Sequence, residues 1–150
     1  KNDNHEGYLN LKGLILLHQK RYEEAIAYFH QSMSVAPLFK ETWLRLGAAY
    51  GLSGNFSQAE RILRRAHQIP PINMMALFRL TETSLNAGDS QRAGAYADAL
   101  LSTFDITAIR NQLKNLSNNY LIAPIAPEYI SRFVESRFRQ KAGGITEIQN

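Results

Sequence analysis

Residues 43–71 read WLRLGAAYGLSGNFSQAERILRRAHQIPP, and apolar residues recur in this stretch at helical spacing on both sides of a short turn. In the first half, Trp43, Leu46 and Tyr50 are three and four residues apart, which is the spacing of an amphipathic α-helix. The second half repeats the pattern with Phe56, Ala59, Ile62, Leu63 and Ala66. The stretch therefore predicts two amphipathic helices joined by a turn.

The ends of these two helices are marked by residues with specific backbone preferences. Gly54 predicts the end of the first helix, because glycine tolerates the left-handed conformation found at many helix C-termini. Asn55 is expected to cap the second helix, and Gln58 to complete a capping box with it. Pro70 and Pro71 predict the end of the second helix, since proline lacks the amide donor and disfavours helix in the residue before it.

The same organisation recurs along the chain with a 34-residue period. This interval separates glycines, alanines and prolines at corresponding places, namely Gly13 and Gly47, Ala25, Ala59 and Ala93, Gly54 and Gly88, and Pro37 and Pro71. The period predicts three two-helix units, over residues about 6–39, 40–73 and 74–105. The third unit departs from the other two, because Thr81 stands where they have glycine and Ser84 where the second has tyrosine.

The second unit carries a recognisable pattern, Trp43-x2-Leu46-Gly47-x2-Tyr50, followed by Ala59-x3-Leu63. This pattern resembles the signature of tetratricopeptide (TPR) repeats. The resemblance covers residues about 6–105 and is weakest in the third unit. It implies an all-α fold, a right-handed α-solenoid of three helix-turn-helix units within a single domain over residues 1–150.

Gly47 lies in the middle of a predicted helix, where glycine costs about 1 kcal/mol relative to alanine. We expect close approach of the second helix to offset that cost, with Ala59 as the small facing residue. Trp43, Tyr50 and Tyr22 are aromatic residues of the kind that also form binding surfaces. Here they occupy the packing positions of the repeat, so we predict that they belong to the core.

The residues after the third unit predict a capping helix over residues about 106–117. Asp105 is its predicted N-cap, and its apolar stripe comprises Ile106, Ile109, Leu113 and Leu116. The last unit of a solenoid needs such a helix to cover its open end.

A linker and an amphipathic C-terminal helix are predicted over residues about 118–141. The helix is expected to begin near Pro127 and to end at Gly143 and Gly144. Its apolar stripe comprises Ile130, Phe133, Val134 and Phe138. That stripe has to be buried, and the solenoid itself, a second copy, a partner and a membrane surface are the alternatives for what covers it.

The composition excludes several kinds of site. The 150 residues include no cysteine, so thiolate metal sites and disulfides are excluded. His5, His18, His30 and His67 lie in separate stretches without a second metal ligand at helical spacing, and no phosphate-binding glycine loop or nucleophile motif is present. We therefore expect no catalytic residue, no metal and no cofactor, and a protein that is not an enzyme.

Charge argues against nucleic acid as the partner. The net charge of +4 is spread along the chain without a strongly basic block. Arg61, Arg64 and Arg65 form a basic cluster, but no aromatic residue alternates with them as stacking on single strands would require. We expect these arginines to lie on a solvated outer face.

Neither the compartment nor the full extent of the protein follows from the sequence. No apolar run approaches the ~20 residues needed to cross a bilayer, so no membrane insertion is expected within this segment. The chain begins at Lys1 rather than methionine, and we expect it to be a fragment of a longer protein. Cytoplasm and periplasm both remain open.

The resemblance implies a concave groove lined by the first helix of each unit, where TPR proteins commonly bind peptides or helices. The implied groove residues are Asn10, Leu14, Leu17, Glu41, Leu44, Arg45, Ala48, Met75, Phe78, Arg79, Glu82 and Leu85. Some TPR proteins hold a C-terminal carboxylate with a clamp of lysine, asparagine and arginine. Of the positions corresponding to that clamp only Arg79 matches, so the clamp is not expected.

The predicted function is that of a protein–protein interaction scaffold, binding a partner peptide or helix in the concave groove. An apolar groove of this kind suits an amphipathic helix or an extended apolar peptide. The alternative is a homo-oligomerisation domain or a regulatory appendage of a larger protein, including a membrane-anchored one. A homodimer is possible and belongs to this second hypothesis.

Overall fold

The computed structural model of the chain describes residues 5–72, 74–119 and 127–149. Eight α-helices lie within these ranges, and they are α1 (His5–His18), α2 (Tyr22–Val35), α3 (Lys40–Leu52), α4 (Phe56–Gln68), α5 (Met74–Asn86), α6 (Ser90–Thr103), α7 (Ile106–Asn119) and α8 (Pro127–Gln149). Helices α1 to α6 form three successive pairs, and each second helix also packs on the first helix of the next pair. The predicted all-α solenoid of three helix-turn-helix units is confirmed.

The turns inside the units place one residue each in the left-handed region. Gly54 and Gly88 have φ angles of 88° and 80°, as expected for glycine after a helix. Asn55 caps α4 by accepting a hydrogen bond at 3.3 Å from the backbone N–H of Gln58. The predicted capping box is only half formed, because the Gln58 side chain instead accepts a hydrogen bond from Arg61.

In the first unit the left-handed position is occupied by Lys20, with a φ of 62°. We expect Lys20→Gly to raise the free energy of unfolding by about 0.5–1 kcal/mol, since relief of left-handed strain exceeds the entropy cost of the new glycine. Urea unfolding measures this change. Lys20→Ala removes the same charge but keeps the strain, so its stability should stay at or below that of the native chain. An equal gain for both variants would attribute the effect to charge.

The core consists of two clusters of buried apolar residues. One joins the first and second units and includes Phe29 and Leu46. The other runs from the second unit into the C-terminal helices and includes Leu63, Phe78 and Leu100. Trp43 packs against both clusters, and its indole N–H donates to the Pro37 carbonyl oxygen at 2.7 Å. The predicted core role of Trp43 is confirmed.

Gly47 is a point of close helix approach, as predicted, but the facing residue is Leu63 rather than Ala59. A Cβ atom added to Gly47 would lie 2.5 Å from Cγ of Leu63. In the first unit Gly13 meets the ring of Phe29 in the same way, at 2.6 Å. Ala59 instead lies 4.0 Å from the position of a Cβ added to Gly51. A large residue on the second helix therefore fills the space that each mid-helix glycine leaves.

The third unit exchanges the sizes of these two residues. Thr81 stands one repeat after Gly47, and Ala97 stands one repeat after Leu63. Both are fully buried, and the Thr81 hydroxyl donates to the Leu77 carbonyl oxygen within its own helix. A larger residue on the first helix is thus matched by a smaller one on the second, which keeps the packed volume of the pair nearly constant.

The two C-terminal helices cover the end of the solenoid. Asp105 accepts a hydrogen bond from the N–H of Thr107 at 2.9 Å and so caps α7 as predicted. Helix α8 begins at Pro127, but the predicted end at Gly143 and Gly144 is wrong, because the helix continues to Gln149. Glycine permits a helix to stop without forcing it to do so. Residues 120–126, most of the predicted linker, lie outside the described residues.

Within the described residues, helix α8 packs on α6 and α7. Ile130 and Val134 are buried in one cluster with Ile109 and Leu113 of α7. The Leu116 side chain, predicted for the same stripe, is not among the described side chains. The solenoid itself therefore covers the apolar face of α8.

Candidate partner-binding groove

Residues 34 positions apart occupy equivalent places on α1, α3 and α5, so the twelve predicted groove residues fall into rows across the three helices. The central row is Asn10, Leu44 and Phe78. Leu14, Ala48 and Glu82 form a second row, and Leu17 and Leu85 lie in a third. The remaining residues are Glu41 and Met75 in one further row and Arg45 and Arg79 in another.

The central row is buried instead of lying on an open surface. Asn10, Leu44 and Phe78 are 2%, 7% and 2% exposed. Leu17 and Glu82 are also buried. The side chains of these five residues therefore offer almost no area to a partner in this structure.

A polar network fixes the junction of α1, α2 and α3. The Asn10 side-chain amide donates to the hydroxyl of Thr42, and the Asn10 side-chain oxygen accepts from a guanidinium nitrogen of Arg45. The Thr42 hydroxyl lies 3.2 Å from that of Ser32. Asn10, Thr42 and Ser32 are all buried, so their hydrogen bonds offset the cost of removing these groups from water.

Arg45 connects this buried network to Glu41 on the surface. Its Nε lies 3.4 Å from a carboxylate oxygen of Glu41 one helical turn earlier. The Arg45 side chain is 29% exposed and that of Glu41 50% exposed. The guanidinium is therefore held from two sides while the side chain stays partly exposed, and such a donor can pair with a carboxylate or carbonyl of a ligand.

The accessible residues of the predicted groove lie on all three first helices. Leu14 and Ala48 are half-buried and occupy the same row on these neighbouring helices, next to Arg45. On α5, Met75 and Leu85 are half-buried. Arg79 is mostly buried, with a guanidinium nitrogen 3.2 Å from a carboxylate oxygen of Glu82. The structure thus places the twelve residues on three successive first helices, where five are buried, six are half-buried and Glu41 is exposed.

Sequence reasoning missed the buried network. The network includes two hydroxyl residues, Ser32 and Thr42, that the structure buries on facing helices. A hydroxyl in such a place requires a partner, but nothing in the spacing identifies Asn10, on a third helix, as that partner. The packing of α1 against α3 supplies the missing information.

The basic cluster of α4 lies on the outer face, as predicted. Arg61, Arg64 and Arg65 are all exposed. The guanidinium carbon of Arg65 lies 5.9 Å from the centre of the Trp43 ring, so this arginine packs over the aromatic face. Arg61 donates to Gln58 at 2.8 Å. The contacts of Arg61 and Arg65 are therefore intramolecular and belong to the repeat.

A second polar cluster joins α4 to α6. The Tyr96 hydroxyl donates to a carboxylate oxygen of Glu60 at 2.6 Å, and the Arg92 guanidinium pairs with the other oxygen of the same carboxylate. Burial and the hydrogen bond to Glu60 raise the pKa of Tyr96 to about 12. The phenol therefore stays protonated as a hydrogen-bond donor, and the cluster fixes the second helices of adjacent units relative to each other.

Two bidentate ion pairs fasten α8 to its neighbours. Arg137 donates to both carboxylate oxygens of Asp98 in α6, at 3.1 and 2.6 Å. Arg110 in α7 donates to both carboxylate oxygens of Glu135, at 2.6 and 2.9 Å. Gly94 lets Arg137 approach, since a Cβ there would lie 3.2 Å from the guanidinium carbon. Pairing of this geometry fixes orientation as well as adding attraction.

These ion pairs predict that α8 loosens in acid. Hydrogen bonds from Arg137 and Arg110 lower the pKa of Asp98 and the pKa of Glu135 below their ordinary values of 3.8 and 4.5. A lowered folded-state pKa stabilises the docked helix above the ordinary value, and this stabilisation is lost as the pH falls through the lowered one. Hydrogen exchange of α8 amides should therefore be constant, after correction for intrinsic rates, from pH 7 to about 5 and accelerate below about 4.

A double variant provides the control for this pH dependence. Asp98→Asn with Glu135→Gln removes both titrating carboxylates and should flatten the acid response of α8, while α2 and α3 behave as in the native chain. An acid response of the same size in the double variant would assign the effect to other carboxylates.

Neither a metal site nor a membrane-spanning helix is found within the described residues. Within residues 5–72, 74–119 and 127–149, no group of three or more histidine, aspartate or glutamate side chains is placed to hold a metal ion. Among the helices in that part of the chain, none combines the length and the apolar character needed to span a bilayer.

Comparison with known sequences shows which repeat family the first two units resemble. The family model described as tetratricopeptide repeat matches residues 6–71. A peroxisomal targeting signal receptor from Saccharomyces cerevisiae is 26% identical over 110 residues, 72% of this chain and 18% of the receptor. Superkiller protein 3 from Schizosaccharomyces pombe is 24% identical over 100 residues, 67% of this chain and 7% of that protein. The chain thus spans less than a fifth of the length of these relatives.

Solved structures share the architecture at low sequence identity. The TPR domain of Sgt2 from Aspergillus fumigatus aligns with a TM-score of 0.65 at 19% identity, covering 95% of this chain and 83% of that one. The type III secretion translocator chaperone SycD from Yersinia enterocolitica, in an alternative dimer, aligns with a TM-score of 0.68 at 16% identity, covering 93% and 96%. At these identities the similarity establishes the fold.

Proposed function

Because this chain is a tetratricopeptide repeat protein, with the architecture of a general protein-binding scaffold, we propose that it binds a partner peptide or helix on the concave face of its first two units. The proposed contact area is centred on Leu14 and Ala48, with Arg45 and Glu41 at its side. We further propose that binding is its role rather than catalysis, and that it takes neither a metal nor a cofactor.

The observation that carries this proposal is the position of Arg45. Its guanidinium is held by Asn10 and Glu41, yet its side chain is 29% exposed beside the apolar pair Leu14 and Ala48. An oriented donor next to an apolar strip is the combination found in peptide sites, where apolar contacts supply affinity and a few polar groups fix direction. The name of the yeast relative, a receptor for a targeting signal, also supports a short segment as ligand.

The test uses peptides selected from a displayed random library against the full chain. We expect Ala48→Arg to weaken the selected peptides at least about tenfold, because the new side chain occupies the strip between α1 and α3. Ala27→Arg is the matched control, since Ala27 is exposed on α2. Unchanged affinity in Ala48→Arg would move the site away from this face.

The alternative function, homo-oligomerisation, predicts a different result for the mass in solution. If the chain serves as an assembly domain, light scattering should give a mass that rises with concentration, and Ala48→Arg should not change that mass. A constant monomer mass together with loss of peptide binding in Ala48→Arg favours the scaffold.

A further inference from the structure

A cleft of about 280 Å³ opens between α4, α5 and α6, beside the turns inside the second and third units. Its walls include Phe56, Ser57 and Glu60 of α4, Thr83 and Ser84 of α5, and Arg92 of α6. None of these six belongs to the twelve residues of the predicted groove. The volume lies just below the roughly 300–1,000 Å³ of pockets that hold drug-sized ligands, so it suits a small group such as a single ring.

The 34-residue period shows what fills the corresponding place one unit earlier. Tyr50 stands one repeat before Ser84, and Ile26 one repeat before Glu60. Tyr50 packs against the core cluster that contains Ile26, and its hydroxyl lies 3.0 Å from Nε2 of His30. Because serine has no ring, Ser84 leaves open between α4 and α5 the space that the Tyr50 ring fills between α2 and α3. The departure of the third unit from the repeat pattern therefore coincides with the cleft.

The hydroxyl of Ser84 is buried and unpaired. Ser84 is 4% exposed and lines the cleft. Within residues 5–72, 74–119 and 127–149, its side chain has no hydrogen-bond partner. Buried hydroxyls in folded proteins are normally hydrogen-bonded, and leaving one unpaired costs free energy. A group that enters the cleft and bonds to Ser84 would recover that cost.

The charged side chains at the cleft are already paired with one another. The Arg92 guanidinium pairs with the carboxylates of Glu60 and Asp89, and the Tyr96 hydroxyl donates to Glu60 at 2.6 Å. A cation would have to displace Arg92 from these carboxylates. The groups that remain for a ligand are the Ser84 hydroxyl and the half-buried ring of Phe56, which favours a neutral ligand with an aromatic ring and a hydroxyl.

We propose that this cleft is a binding site for a phenol group, supplied by a small molecule or by a tyrosine side chain. The ring takes the space that the Tyr50 ring fills one unit earlier and packs against Phe56, as aromatic pairs do at offset or edge-on geometry. The phenol hydroxyl, which can donate and accept, forms a hydrogen bond with Ser84. A ring without a hydroxyl would leave Ser84 unpaired.

The test is a titration of the isotope-labelled full chain with phenol, followed by amide chemical shifts. We expect saturable shifts at residues 56–60 and 83–92, with a dissociation constant in the millimolar range because so small a ligand makes few contacts. Toluene lacks the hydroxyl and cyclohexanol lacks the aromatic ring. Each should bind at least about threefold more weakly than phenol.

Variants at Ser84 separate the space from the hydroxyl. Ser84→Ala keeps the space and removes the hydroxyl, so phenol and toluene should then bind within about twofold of each other. Ser84→Tyr introduces the side chain of the second unit, which should fill the cleft and weaken phenol at least about tenfold. Ser102→Tyr is the matched control, since Ser102 is exposed on α6, and it should leave the dissociation constant within about twofold.

A variant at the mouth of the cleft covers the case in which Ser84→Tyr does not fold by circular dichroism. Ser57 is exposed, so Ser57→Trp covers the opening without entering the core, and it should also weaken phenol at least about tenfold. Ala48→Arg, which changes the concave groove, should leave phenol binding within about twofold.

The source of the phenol group is distinguished with N-acetyltyrosine amide. If this compound shifts the same amides at least as strongly as phenol does, the cleft accepts a tyrosine side chain of a protein segment. If only phenol shifts them, the ligand is a small phenolic molecule.

Three results would overturn the proposal. An absence of saturable shifts would mean that the cleft holds only water. Equal affinities for phenol, toluene and cyclohexanol would remove the role of Ser84 and of the ring. Phenol binding that survives both Ser84→Tyr and Ser57→Trp, or that Ala48→Arg abolishes, would place the ligand outside the cleft.

Discussion

Gly47→Leu is expected to lower the free energy of unfolding by about 1–3 kcal/mol, because it overfills a site that has no room for a side chain. A Cβ at Gly47 would already lie 2.5 Å from both Cγ and Cδ2 of Leu63. Leu63 is fully buried in the cluster that joins α4 to α5. Its side chain cannot move away without disturbing that cluster, so α3 and α4 must separate. Urea denaturation of the full chain measures the loss.

A pair of alanine variants isolates the steric cause. Gly47→Ala and Gly51→Ala both add one methyl group to the middle or end of α3, and both glycines are buried. A Cβ at Gly51 would have its nearest contacts at 3.9 and 4.0 Å, from Thr83 and Ala59. We expect Gly51→Ala to be neutral or to stabilise by up to about 1 kcal/mol through helix propensity, while Gly47→Ala destabilises. Similar effects at the two positions would contradict the close contact with Leu63.

A compensating change provides a further control on Gly47. In the third unit the large residue is on the first helix and the small one on the second, at Thr81 and Ala97. Combining Gly47→Ala with Leu63→Ala should therefore cost less than the sum of the two single changes. Additive costs would indicate that the two residues do not share one space.

The repeat itself was predictable because its markers act locally. Gly54 adopts the left-handed conformation and Asn55 caps α4 because of properties of those two residues alone. Since such signals recur at a fixed interval, the helix pairs and the solenoid follow from the sequence.

Which residues of two paired helices face each other was harder to predict from the sequence. Gly47 required a close neighbour, but both Ala59 and Leu63 lie on the buried face of α4. Smallness favoured Ala59, whereas the structure places the larger residue in the gap that the glycine leaves. The equivalent pair, Gly13 with Phe29, contained the same information one repeat earlier.

The burial of the groove residues depends on how one unit sits on the next. Asn10, Leu44 and Phe78 were predicted for the concave surface from the family resemblance, and all three are buried. A solenoid's curvature and the rotation between its units decide whether such a row opens or closes. Neither quantity is encoded in the spacing of residues within one unit.

Val134→Asp is expected to release α8 from the solenoid. Val134 is fully buried with Ile109, Leu113 and Ile130, and an unpaired carboxylate in such a place costs roughly 3–5 kcal/mol. The protein can avoid that cost by exposing the carboxylate to water, which requires only that α8 leave α6 and α7. A single helix without tertiary packing is marginal in water. The first three units should therefore remain folded while α8 loses its structure.

Hydrogen exchange separates this local release from global unfolding. Amides of residues 127–149 should lose protection by about a hundredfold or more, whereas amides of α2 and α3 should change little. Gln140→Asp is the matched control, because it also introduces one carboxylate into α8 but at an exposed position. Its protection should remain that of the native chain, since neither Asp98–Arg137 nor Arg110–Glu135 is altered. If α8 keeps its protection in Val134→Asp, this apolar contact does not hold the helix in place. If protection falls equally throughout the chain, α8 cannot leave without unfolding the solenoid.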